Sequence, residues 1–175
     1  MHSRLRRFLH SRSGTAAIEF AFIVPILLVM IAGVVEFGRL FQVYNTTNRL
    51  ATQYAIVYSD CSDSPAGTCN TELNSLGTTQ SVSNIVPQLQ SSLLSLTIFQ
   101  VSMSGTTPNV VYAYPSGATL SAGQIAAAQG VLTDGQSGVV VTATYNHSLQ
   151  FFPTLMTSFL GSVLTPSFTA VQLKG

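Results

Sequence analysis

The sequence predicts an α+β protein in which a long N-terminal membrane-spanning helix is followed by a small head with an antiparallel sheet. Three observations predict it. Residues 15–35, TAAIEFAFIVPILLVMIAGVV, are apolar apart from Glu19. Apolar and small residues then continue at helical spacing as far as Tyr58. From Leu96 onward the spacing changes from steps of three and four to strict alternation, the period of strands.

About 20 apolar residues at a rise of roughly 1.5 Å each match a hydrocarbon core of roughly 30 Å, so the first run is long enough to cross a bilayer. Arg4, Arg6, Arg7 and Arg12 precede it, whereas Glu36 and Arg39 behind it cancel. Under the positive-inside rule the N-terminus stays cytoplasmic and the remainder is exported. Pro25 would cost about 3 kcal/mol inside a soluble helix, but membrane helices accept it with a local kink. A secretory signal peptide also starts basic and turns apolar. Here the run is longer and leads into Glu36-Phe37-Gly38-Arg39, with no small-residue cleavage box.

Beyond the run, Leu40, Tyr44, Thr47, Ala51, Tyr54 and Tyr58 fall on one helical face. One helix from Thr15 to about Tyr58 is on the order of 65 Å long and makes a spine. A break into two helices near Gly38 is the alternative, since a mid-helix glycine costs about 1 kcal/mol. Residues 59–77, SDCSDSPAGTCNTELNSLG, read as loop and mark the boundary between spine and head.

In the head, Val82, Ile85, Leu89 and Leu93 suit a short amphipathic helix, with Pro87 setting its start near Val86. Thr97, Phe99, Val101 and Met103 alternate within a strand over 96–103, and Val110, Tyr112 and Tyr114 within a second over 110–114. Gly105 to Asn109 form the turn of this hairpin. Asp134-Gly135 introduces a strand over 139–145, and 167–173 alternates again. Ile125 to Ala128 suit a short helical turn. The uncharged segment 151–164 either covers the sheet or presents Phe151, Phe152, Met156 and Phe159 to a partner subunit or the membrane surface.

Composition narrows the function. Only 7% of residues are charged while 46% are hydrophobic, and Lys174 is the only base after Arg49. Nucleic-acid binding by the head is excluded on this ground, because neutralising phosphates needs clustered Lys and Arg. With no Trp, a base-stacking platform is also unsupported. No phosphate-cradling loop ending in Lys and no Gly-x-Ser-x-Gly elbow occurs. Asp60, Asp63, Glu72 and Asp134 sit in turn-like segments, not as a catalytic pair. The expectation is a non-enzyme with no cofactor and no metal site, and His147 reads as a strand-end surface residue.

The most specific local pattern is Ser13-Gly14-Thr15-Ala16-Ala17-Ile18-Glu19-Phe20, where the basic stretch meets the apolar run. A peptidase at the cytoplasmic membrane face needs an unobstructed backbone, and Gly14 has no Cβ to clash. Cleavage after Gly14 makes residues 1–14 a leader, leaving 15–58 as anchor and spine and 59–175 as head. Thr15 then becomes the N-terminus and Glu19 the fifth residue. A carboxylate well inside the bilayer costs on the order of 3 kcal/mol and calls for a partner. The freed Thr15 ammonium of a neighbouring subunit is the candidate, so that Glu19 acts in assembly. The competing reading has Gly14 as a linker and Glu19 as an interfacial acid.

Gly14 followed by Glu19-Phe20, then Pro25, then Val35-Glu36-Phe37-Gly38-Arg39, resembles the TadE-like pseudopilins of bacterial tight-adherence (Flp pilus) systems over roughly residues 12 to 40. The resemblance implies a prepilin-peptidase substrate anchored in the inner membrane and needed for pilus biogenesis. By position it gives Gly14 and Thr15 a processing role and Glu19 with Phe20 an assembly role. The implied partners are the prepilin peptidase, other pilin or pseudopilin subunits and the inner-membrane pilus machinery. An uncleaved, membrane-tethered binding protein or adhesin is the alternative function.

Cys61 and Cys69 are the only cysteines. An exported head favours a disulfide between them, which in the chain-entropy model contributes roughly 2.5 kcal/mol.

Overall fold

The computed structural model describes residues 12–60, 89–151 and 161–174. Helix α1 runs unbroken from Arg12 to Asp60, with Pro25 inside it and Gly38 causing no break. The alternative of two helices is thereby set aside. Its upper half is rich in β-branched and polar residues, and it absorbs them by local hydrogen bonding. The hydroxyls of Thr46, Thr47 and Thr52 donate to the carbonyls of Gln42, Val43 and Asn48 one turn back, at 2.6, 2.8 and 3.1 Å.

The head is a four-stranded antiparallel sheet of β1 (Leu94–Ser104), β2 (Thr107–Tyr114), β3 (Ser137–Tyr145) and β4 (Ser167–Leu173), in the order β2-β1-β3-β4. A second helix, α2 (Ala122–Val131), connects β2 to β3. The central strands are buried on both faces because each face meets a helix. On one side Leu50, Ala51, Tyr54, Ala55 and Tyr58 of α1 pack against Ile98, Val139, Val141, Ala143 and Tyr145. On the other, Ala128 and Leu132 pack with Phe99, Val101, Met103 and Val140. Each fully buried large apolar side chain contributes roughly 1.5–3 kcal/mol, so the upper half of α1 is half of the head's core and not a stalk beneath it.

Helix α2 opens on a capping box. Gln124 N–H donates to Ser121 Oγ at 3.3 Å and Ser121 N–H to Gln124 Oε1 at 2.8 Å. The amide nitrogen of the same Gln124 donates to Thr97 Oγ1 at 3.1 Å and Thr142 Oγ1 at 2.9 Å, tying the helix start to β1 and β3. Gly138 lets β3 pass beneath Leu132: a Cβ there would lie 2.7 Å from Leu132 Cδ2 and 2.8 Å from the Gln172 carbonyl oxygen.

Four details differ from expectation. The β1–β2 turn closes in two residues, Gly105 and Thr106, with Gly105 at φ 61°. The described part of the expected helix ending at Leu93 is a single 3-10 turn, Ser91–Leu93. Strand pairing wins there, because Leu94 lies opposite Tyr145 and Asn146 N–H donates to the Leu93 carbonyl at 2.9 Å. Val82, Ile85 and Val86 lie outside the described residues. A bulge makes Gln100 pair with Tyr112 but Val101 with Val110, so Val110 does not share a face with Tyr112 and Tyr114. Finally, α2 is longer than the expected turn at Ile125–Ala128. Of the segment 151–164, Phe152, Met156 and Phe159 lie outside the described residues.

Candidate functional site

Over residues 14–35 of α1 no residue is buried. Gly14, Thr15, Glu19 and Phe20 are all exposed, and apart from its chain neighbours and the adjacent helix backbone nothing lies within 4 Å of where a Gly14 Cβ would be. Thr15 and Glu19 stand one turn apart on one helical face. The apolar window of this helix is 0% buried. Phe20, Phe22, Met30 and Val34 are each more than three-fifths exposed. Exposed apolar surface of this extent marks a protein or membrane contact. One N-terminal apolar helix of this kind is compatible with single-pass membrane anchoring.

Immediately above, the head clasps the helix. Glu36 is 2% exposed although it is the first charge past the apolar run. His147 Nε2 lies 3.3 Å from its Oε1, Gln150 N–H donates to the same oxygen at 3.3 Å, and Arg39 Nη1 lies 3.6 Å from Oε2. The two side-chain contacts are ion-pair distances without hydrogen-bond geometry, so Glu36 Oε2, Arg39 Nη1 and His147 Nε2 have no hydrogen-bond partner among the described residues. His147 is thus not the surface residue expected at a strand end. It is 6% exposed because the chain leaving β3 turns down onto α1, with His147 N–H held by the Leu164 carbonyl at 2.9 Å.

Beside this cluster runs an apolar groove of about 380 Å³. Phe37, Phe41 and Tyr44 of α1 form one wall, Val163 and Phe168 the other. Tyr44 and Phe168 meet edge to face with ring centroids 5.6 Å apart.

Asp134 accepts a hydrogen bond from Gly105 N–H at 2.6 Å, closing the turns at one end of the sheet, while His147 lies past the other end of β3. The two therefore do not meet. Among the described residues no three His, Cys, Asp or Glu side chains are grouped to hold a metal. Cys61 and Cys69 lie outside the described residues. Sequence reasoning missed the Glu36–His147 contact. The available signal was Glu36 itself, a lone acid between an apolar run and a helix face bound for burial.

No curated protein and no solved structure matches the chain. The family model described as TadE-like protein matches residues 14–55, which span the Gly14 context, the apolar run, Glu36 and much of the buried face of α1. Over residues 14–55 the chain is therefore similar to TadE-like proteins, the family its first forty residues resemble.

Proposed function

We propose that this protein is a minor pilin or pseudopilin of a bacterial tight-adherence (Flp-type) pilus, processed after Gly14 and contributing to pilus assembly, adhesion or secretion. The observation that carries this reading is an acid, Glu19, standing exposed on a bare apolar helix within the TadE-like segment. In a bilayer that carboxylate needs a cation, and cleavage creates one at Thr15. Within a single chain the two are only one turn apart. Between staggered neighbours, the Thr15 ammonium of one subunit pairs with Glu19 of the next and sets their axial register, with Phe20 packing beside it.

Cleavage requires the backbone around Gly14 to open, and the missing Cβ leaves it accessible there. The head then stands on the extracytoplasmic side of the inner membrane, with Cys61 and Cys69 joined as a disulfide at the end of the spine. Its partners are the prepilin peptidase, other pilin subunits and the inner-membrane assembly machinery. No catalytic step and no cofactor enter this function.

Replacing Glu19 by Leu tests the assembly role. The Glu19→Leu chain is processed normally but fails to support pili, as counted on cells by electron microscopy. Normal piliation would contradict the role assigned to the carboxylate.

A further inference from the structure

The groove beside Glu36 lies where the membrane ends. A hydrocarbon core of roughly 30 Å takes up about 20 residues of helix, which from Thr15 reaches Val35. Phe37 begins the groove two residues later, and Phe41, 71% exposed, follows one turn on. The groove continues the exposed stripe Ile23, Leu27, Met30 and Val34 without interruption. Phe37 and Phe41 form its lower end, the amides of Asn45 and Asn48 stand further from the span, and no charged side chain among the described residues lines it. At about 1.5 Å per residue beyond Val35, Phe37 lies within the headgroup layer and Phe41 at about its outer edge.

The head itself reaches this level. Gln150, bonded to Glu36, is followed by Phe151, which is 42% exposed. An acid at the hydrocarbon edge is costly unless it is sequestered with partners, and Glu36 has Arg39 and His147 beside it.

We propose that phospholipid of the head-side leaflet occupies this groove, so that the head is seated on the membrane by Phe41, Val163 and Phe151 instead of being held above it on the spine. This rests on the reading of residues 15–35 as a membrane span. In the seated state the aromatic and aliphatic rim lies at the interface, and the sheet axis is fixed relative to the bilayer before any subunit is withdrawn into a filament.

The chain contains no Trp, so single Trp substitutions report without background. The full-length protein is reconstituted in phosphatidylcholine–phosphatidylglycerol vesicles with and without acyl-chain bromination. Three variants are compared: Val29→Trp in the span, Val163→Trp in the groove, and Val111→Trp beside Tyr58 at the far end of the spine. Phe41→Trp, also in the groove, replaces Val163→Trp if that chain does not fold. The expected result is that bromolipid removes most emission from the Val29→Trp and Val163→Trp chains and leaves Val111→Trp unchanged. Quenching in the span but none in the groove overturns the seated head while leaving the anchor intact, and is the result expected if a second copy of the chain fills the groove. No quenching in the span overturns the anchor reading and this proposal with it.

Discussion

His147 Nε2 lies 3.3 Å from Glu36 Oε1, joining the segment after β3 to the first charged residue beyond the apolar run. Both side chains are 3% exposed. Breaking a buried pair by removing one partner leaves an uncompensated charge and costs several kcal/mol. Arg39 remains near the other oxygen and softens the loss. His147→Ala should therefore destabilise the head by about 2–3 kcal/mol, lowering the thermal midpoint in detergent by several degrees. In the double variant with Glu36→Gln much of that loss should disappear, since no carboxylate is then stranded. Additive losses would show that the two side chains are not coupled.

Two glycines should respond oppositely to alanine. Gly138→Ala places a Cβ 2.8 Å from the Gln172 carbonyl oxygen, a backbone atom that moves only with β4, and 2.7 Å from Leu132 Cδ2. A loss of about 1–3 kcal/mol is expected from overpacking. Gly38 lies in mid-helix with nothing within 4 Å of its Cβ position, and Gly38→Ala should gain up to about 1 kcal/mol in helix propensity. Chemical denaturation of the two variants decides. Equal behaviour would contradict either the close passage at Gly138 or the unbroken helix.

The tyrosines between α1 and the sheet predict an alkaline limit. Burial, and secondarily the neighbouring Tyr114, push the Tyr54 hydroxyl from 10.0 up to about 12. Tyr58 is raised further, by burial first and by Tyr112, Tyr54 and Tyr114 after it. A group whose ionisation is raised in the folded state contributes its full stability below the unfolded value of 10.0. That contribution declines as pH rises from there through about 12, because the unfolded chain loses its proton first. Tyrosinate absorbance should thus rise in two phases, the second coinciding with loss of tertiary structure. A single phase near pH 10 would show that Tyr54 and Tyr58 are not enclosed between helix and sheet.

The parts of this fold legible in the sequence are those where one local period decides. Leu40, Thr47, Ala51, Tyr54 and Tyr58 form the buried face of α1 as their spacing predicts. Phe99, Val101 and Met103 share a core as their alternation predicts. The opposite face of β1, with Ile98 fully buried, was not read because a central strand covered on both sides loses its alternation. Helix α2 extends beyond what its pattern indicates, since AGQIAAAQGV has too little contrast to show a face, although Ser121 and Gln124 form a capping box at its start. At the site, the exposed run and Glu19 were legible, but His147 was not. Polarity alone assigns a histidine to the surface, and its burial depends on a carboxylate far away in the chain that no local pattern encodes.

Whether residues 14–55 belong to a processed pilin-type anchor is decided by N-terminal sequencing of the membrane-bound protein after co-expression with its cognate prepilin peptidase. The expected product is a shortened chain beginning Thr15-Ala16-Ala17-Ile18-Glu19. A chain still carrying residues 1–14 under those conditions would overturn the proposed processing.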